Sequence, residues 1–281
     1  IYGQTFIEMS FSPFRKWLTE ISRVIFIVLE QDEKKYKVSK RISALLPESN
    51  PEFFFLKKGT AGPTESVIKA IDGLKIKGPI LISDCDHSFK VDPIFNMIRL
   101  DPTISCLIPT WPLRGEDIKN WSVASVGDDD LASEISEKTL PSDKGDFFGV
   151  IGCYYFQKAE HLTSNKASIY ISDMINELLK QDKDVKTVKI KEADFFGNKE
   201  RLRKTLTKHE VFFGTIFCDL DGTIILHEDK PDYLTPIEVI PGSIEKIKKW
   251  IKSGYKIIIT TARDPKDEKS LLKALKVSKI P

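Results

Sequence analysis

The chain has 281 residues, 41% of them hydrophobic and 30% charged, with a formal net charge of +2. At roughly 150 residues per domain this length predicts two cores, and so ordinary a composition excludes a disordered, collagen-like or disulfide-scaffold chain. Neither half carries a basic excess, which excludes a nucleic-acid platform, and the longest clean apolar run, Val24 to Leu29, is far shorter than the ~18 residues of a membrane span.

In chain order, strands are predicted at Val24–Leu29, Glu52–Leu56 and Ile80–Ser83, with a helix from Pro63 to Asp72 between the last two. Asp84-Cys85-Asp86-His87 follows directly on the third strand. Ser105–Pro109 reads as a strand, and Trp121 to Ser136 as a hairpin turning at Gly127-Asp128-Asp129-Asp130. Val150–Phe156 reads as one apolar strand and Ile169–Leu179 as an amphipathic helix. Asn198–Thr207 is a polar helix with Leu202 and Leu206 on one face, and Lys208-His209-Glu210 is a candidate linker. The pattern then restarts: strand Thr215–Cys218, a helix over Gly242–Ser253 with Ile244, Ile247, Trp250 and Ile251 as its stripe and Gly254 as its cap, and strand Tyr255–Thr261. This alternation predicts two α/β domains, the first with a mainly parallel sheet. Cys85, Cys106, Cys153 and Cys218 show no pairing pattern, so reduced thiols and a cytoplasmic location are expected. A first residue other than methionine and an end in mid-connection lead us to expect that both ends are incomplete.

The sharper motif lies in the second domain. A buried strand running into Asp219-Leu220-Asp221-Gly222-Thr223 sets two carboxylates at the carboxyl edge of a sheet, where open α/β sheets bind ligands. Close carboxylates repel unless a cation lies between them, which predicts Mg²⁺, held by Asp219 and Asp221, and a phosphate substrate. One carboxylate can then attack phosphorus while the other protonates the leaving oxygen. The bland alternative is an Asp- and Gly-rich turn.

Strand, DLDGT (219–223), helix, then strand and TTAR (260–263) resembles the haloacid dehalogenase superfamily of phosphatases, from about residue 214 to the end. The resemblance implies Asp219 as the nucleophile that takes the phosphoryl group, Asp221 as general acid/base, and Thr261 (or Thr260, one residue earlier) as the hydroxyl that holds the phosphoryl group. The family's later lysine and acidic pair would lie beyond Pro281, so 214–281 is expected to be a partial domain.

In the first domain, Asp84 and Asp86 again end a strand, although an isolated D-x-D fits a solvated turn equally well. Gly59-Thr60-Ala61-Gly62, with Ser66 and a helix after it, supplies small residues and backbone N–H groups that can approach a base or a phosphate. Glu134-Ile135-Ser136-Glu137-Lys138, Gly149 to Phe156, and Glu192-Ala193-Asp194-Phe195-Phe196-Gly197 follow in order. Together they resemble the nucleotidyltransferases that make nucleotide-sugars, over residues 1–207. Ile1 to Glu8 looks like the segment after that family's glycine-rich nucleotide loop, which is expected to precede Ile1. The resemblance implies a Rossmann-like mixed or parallel sheet, Thr60, Ala61 and Gly62 lining the base, and Glu137 and Lys138 meeting sugar and phosphate. It also implies Asp86 and Asp194 as Mg²⁺ ligands, with Asp84 a further candidate.

Tyr154-Tyr155-Phe156 and Phe53-Phe54-Phe55 read as core, His87 as a loop residue, and Trp111 and Trp121 as packing residues or base-stacking platforms. The expectation as a whole is a bifunctional enzyme. A nucleoside triphosphate and a phosphorylated sugar or small alcohol are joined with release of pyrophosphate, and a phosphatase acts in the same pathway, one feeding a bacterial capsular polysaccharide. The resemblance suggests CTP or GTP; an oligomer is possible in principle. A metal-dependent glycosyltransferase using D-x-D and a non-catalytic nucleotide-binding protein are the alternatives.

Overall fold

The computed structural model describes residues 3–113, 115–143, 145–163, 168–209, 214–226 and 237–277. The chain divides into two compact units, one formed by Phe6–Gly197 and the other by Ile1–Thr5 together with Asn198–Pro281.

In the first unit, β1 (Ile25–Leu29) and β2 (Glu52–Leu56) pair in parallel, Ile25 opposite Glu52. The helix Pro63–Leu74 opens with proline where an N–H would have no partner. β3 (Ile80–Ser83) and the short β4 (His87–Phe89) follow, and then β5 (Cys106–Pro112), the axis of a seven-stranded sheet. β6 (Ser122–Val126) and β7 (Ala132–Glu137) form the predicted hairpin, with Asp130 at φ 60° in its turn. β8 (Asp146–Val150), β9 (Cys153–Phe156), β10 (Val185–Lys189) and β11 (Ala193–Phe195) complete the unit.

The seven-stranded sheet is mixed, not mainly parallel: among its described pairings only β5 with β10 is parallel. A hairpin reverses direction where a helical crossover would preserve it, and alternation of apolar runs does not distinguish the two. The predicted strand Val150–Phe156 is also two strands. β8 pairs with the far end of β5 (Thr110 opposite Val150) and β9 with its start (Cys106 opposite Phe156), and the chain bends between them at Ile151–Gly152.

Strand alternation sorts β5 onto two cores. Cys106 and Ile108 join Val67, Ile71, Met174 and Ile175 on one face, whereas Leu107 joins Ile94, Val91, Ile151 and Tyr155 on the other. Each such fully buried aliphatic side chain contributes about 1.5–3 kcal/mol of transfer free energy. Tyr154, Tyr155 and Phe156 are core as expected, but Phe55 is exposed, with its ring stacked on that of Phe53 at a centroid distance of 6.2 Å.

In the second unit, β12 (Thr215–Asp219) and β13 (Lys256–Thr260) pair in parallel, Asp219 opposite Thr260. The helix Ser243–Lys252 lies between them in sequence. Ile244, Ile247 and Trp250 pack with Cys218, Leu220, Ile224 and Ile225, while Ile251 is exposed: the larger Trp250 takes the core-facing side of the last turn. Gly254, at φ 92°, ends that helix with its N–H on the Ile251 carbonyl at 3.0 Å.

Candidate functional site

In the first unit, the D-x-D cluster sits where β3 ends, and an antiparallel ladder absent from the sequence reading completes it. β4 pairs with β11, Ser88 opposite Asp194 and His87 opposite Phe195, and the Phe196 N–H donates to the Asp86 carbonyl at 2.8 Å. Ser88 and Asp194 share one face of this ladder, and Asp86 stands in the bend just before β4, two residues ahead of Ser88. His87 points to the opposite face and is buried, not a loop residue, with Nδ1 3.4 Å from an Asp86 carboxylate oxygen and Nε2 3.4 Å from the Ser83 hydroxyl.

Asp84 stands on the other side of the cluster. Its N–H donates to the Gly152 carbonyl at 2.8 Å, and its carboxylate lies where a Cβ on Gly152 would be, so the bend between β8 and β9 makes room for it. Gly197 gives Asp86 the same clearance. Protein atoms surround the Asp84 carboxyl although the residue keeps an open edge to solvent. Desolvation first, and then the charge of Asp86, push its pKa up to about 6. Such mutual repulsion is what a divalent cation relieves.

Tyr154 connects these acids to Glu137. Its phenol is pushed well up by burial, and the charges of Asp84 and Glu137 both act in the same direction. The Glu137 carboxylate accepts from the Ser122 hydroxyl at 2.6 Å and from the Ser172 hydroxyl. Lys138 is exposed and holds φ 58°, a left-handed backbone uncommon for a residue with a Cβ. Its ammonium reaches the Tyr170 hydroxyl at 3.4 Å.

The loop Gly59–Gly62 packs by Gly62 against the Ile169 main chain, and the Thr64 N–H donates to the Ile169 carbonyl at 3.4 Å. The backbone N–H groups expected to be open there are partly engaged: Glu65 accepts from the Ala61 N–H at 2.7 Å. Thr60 shares a 2.7 Å hydroxyl contact with Ser66. Segment 169–172 thus touches both the small-residue loop and the Glu137–Lys138 pair. Trp121 is buried against Gly149, whose added Cβ would come within 2.5 Å of its ring, and against Phe195, with ring centroids 5.1 Å apart. That contact makes Trp121 a packing residue.

In the second unit, Asp219 is exposed at the end of β12, and no described group hydrogen-bonds its carboxylate. Gly222, at φ 73°, turns the chain back so that its N–H meets the Ile225 carbonyl at 2.8 Å. Asp221 is held hard. The Arg263 Nε lies 3.0 Å from both carboxylate oxygens, a second guanidinium nitrogen also contacts one of them, and the Thr261 hydroxyl donates at 2.9 Å. Thr261 lies one residue beyond β13 and its hydroxyl reaches Asp221, whereas that of Thr260, the last residue of the strand, turns to the Cys218 carbonyl at 3.4 Å. A cleft of ≈ 170 Å³ opens beside Thr261 and Arg263. Arg263, the last residue of TTAR, has no role in the sequence expectations; a cation in the motif that follows β13 is the signal that could have found it.

These donor sets suit Mg²⁺, which takes one or two carboxylates plus phosphate oxygens. Asp86 and Asp194 are the acids the first unit offers for that role, and among the described residues no group of three or more His, Cys, Asp or Glu is placed to hold a metal ion by itself. Asp219 fits as well. Asp221 departs from the expectation that both aspartates ligate, because its two oxygens are taken by Arg263 and Thr261.

Residues 216–280 match the family of haloacid dehalogenase-like hydrolases. No curated protein sequence matches the chain. HddC from Yersinia pseudotuberculosis, solved as a complex with GMP-PN, is 15% identical with a TM-score of 0.52, covering 74% of this chain and 87% of its own. A Bacillus anthracis chain designated a glucose-1-phosphate thymidylyltransferase, solved with sucrose, is 14% identical with a TM-score of 0.54, covering 71% of this chain and 80% of its own. Shares so large extend beyond Asn198–Pro281 and must draw on Phe6–Gly197. No described helix is long and apolar enough to cross a membrane. The chain therefore carries a segment similar to the haloacid dehalogenase-like hydrolases, preceded by a unit whose fold is similar to that of these two solved structures.

Proposed function

We propose that the first unit transfers a nucleotidyl group from a nucleoside triphosphate to a phosphorylated sugar or similar small alcohol, and that the second hydrolyses a phosphate ester in the same pathway. The observation that carries this reading is the β4–β11 ladder, which brings Asp194 opposite Ser88, two residues after Asp86 and four after Asp84. An acceptor phosphate oxygen attacks the α-phosphorus in line, the bond to the β-phosphate breaks, and pyrophosphate leaves. Positioning and charge neutralisation carry such a reaction. Mg²⁺ at Asp86 and Asp194 supplies neutralisation of the triphosphate when bound. Thr60, Ala61 and Gly62 line the base, Lys138 meets the acceptor phosphate, and Glu137, fixed by Ser122 and Ser172, meets the sugar.

In the second unit an Asp219 oxygen attacks phosphorus, the leaving oxygen takes a proton from Asp221, and water then cleaves the aspartyl-phosphate. Thr261 orients the phosphoryl group, and Asp219 is the carboxylate open to Mg²⁺. Two such activities in one chain support consecutive steps toward an activated sugar, with a surface polysaccharide as the destination.

The test is a pyrophosphate-release screen of four nucleoside triphosphates against sugar phosphates and phospho-alcohols with Mg²⁺, and phosphate release from p-nitrophenyl phosphate in parallel. Pyrophosphate release that vanishes in Asp86→Ala, and phosphate release that vanishes in Asp219→Asn, are the expected results. Silence with every triphosphate would overturn the transferase reading.

A further inference from the structure

Lys138 combines two features that its neighbours lack. It holds a strained left-handed backbone at φ 58°, and among the described residues no carboxylate forms an ion pair with its ammonium. A four-carbon stem ending in a charge ordinarily sweeps through many rotamers, and that freedom is lost when the charge is held in one place. Here the ammonium lies 5.6 Å from the Tyr170 ring centroid and 3.4 Å from its hydroxyl, so a single aromatic side chain supplies both of its contacts. The Lys138 N–H donates to the Trp121 carbonyl at 2.8 Å, which fixes the other end of the residue to the β6–β7 hairpin.

Tyr170 is itself fixed by main-chain bonds. Its N–H donates to the Asp173 carboxylate at 3.1 Å, and its carbonyl accepts from the Asp173 N–H at 3.2 Å, at the start of the helix Ile171–Leu179. Two residues on, Ser172 holds Glu137. One helix start thus anchors both members of the Glu137–Lys138 pair, the acid through a hydroxyl and the cation through a ring.

We infer that Tyr170 is a positioning residue that holds the Lys138 ammonium where an anionic phosphate of the acceptor docks. A cation–π contact constrains the ammonium without neutralising it, so its charge stays available to a phosphate, whereas a carboxylate partner would compete for it. The inference deepens the proposed transferase reading and rests on it for the identity of the acceptor.

The test uses the full chain and inorganic phosphate as probe, with acetylation of Lys138 by an amine-reactive reagent followed by mass spectrometry, in native protein, Tyr170→Leu and Tyr170→Phe. The main-chain bonds of Tyr170 survive both substitutions, and Tyr170→Phe keeps the ring. Phosphate is expected to slow acetylation of Lys138 in the native chain and in Tyr170→Phe, with protection weakened roughly fivefold in Tyr170→Leu. Equal protection in Tyr170→Leu, or none in the native chain, would overturn the inference. Once an acceptor is known, Tyr170→Leu should raise its KM with kcat and the KM for triphosphate unchanged; a fall in kcat alone would count against the role. A silent pyrophosphate screen would sink the transferase reading and leave the acetylation result standing on its own.

Discussion

Arg263 straddles the Asp221 carboxylate, its Nε 3.0 Å from both oxygens, and both side chains are largely withdrawn from water, at 12% and 16% exposure. A planar fork of this kind fixes the rotation of the carboxylate as well as its charge. Removing the arginine takes the fork away from a carboxylate that is largely withdrawn from water. Arg263→Ala should therefore destabilise the second unit by about 1–3 kcal/mol, seen as a lowered denaturant midpoint, with Arg263→Lys intermediate. An unchanged midpoint in Arg263→Ala would show that the fork is not formed in solution.

Glycine clearance gives a second prediction. Gly197→Ala would place a methyl group where the Asp86 carboxylate lies, and Gly152→Ala would do the same to Asp84. Displacing a ligand carboxylate by ~1 Å can cost ~100-fold in rate, so Gly197→Ala should lose pyrophosphate release with folding intact by circular dichroism.

The raised pKa of Asp84 predicts a pH dependence with a definite sign. Its folded value, about 6, lies above the unfolded carboxylate value, so the fold favours the protonated form. The corresponding stability is fully present below the unfolded pKa and is lost as pH rises to and through about 6. In chelator, native protein should therefore be less stable at pH 7 than at pH 5 by a margin that Asp84→Asn abolishes. An identical pH profile in the variant would refute the assignment.

Thiol reactivity should separate the four cysteines. Burial pushes the Cys106 and Cys153 thiols far up, and Cys218 is also buried and raised, so a thiol reagent should leave these three unmodified in native protein. Cys85 is exposed, yet desolvation and the charges of Asp86 and Asp84 raise its pKa too, so it should be labelled more slowly than free cysteine. Rapid labelling of two or more thiols would contradict this.

Much of this organisation was legible in the sequence, for identifiable reasons. DLDGT after an apolar run, Gly254 behind a helix, and the hairpin turn at Gly127–Asp130 are local signals, and local signals survive in one dimension. Three features were not legible. The three-residue β4 and β11 are too short to show a period, yet their pairing is what brings Asp86 and Asp194 together. The bend at Ile151–Gly152 lies inside an unbroken apolar run, because both halves pack in the core. Arg263 and Tyr170 act through partners, Asp221 and Lys138, that lie more than thirty residues away in the chain.

The β4–β11 ladder has only three residue pairs, and its strands, His87–Phe89 and Ala193–Phe195, lie far apart in the chain. A short ladder between distant segments has few bonds of its own and a large closure cost, which places it among the structures that open first. The nucleotide chemistry would then depend on the least durable piece of an otherwise well-packed body. Ageing, mild heat or a nick near residue 190 could silence it while the seven-stranded sheet still registers as native. A divalent cation brought in with the nucleotide, by linking the two aspartates, would act on this corner as a clasp, so the protein would be sturdiest while it is loaded.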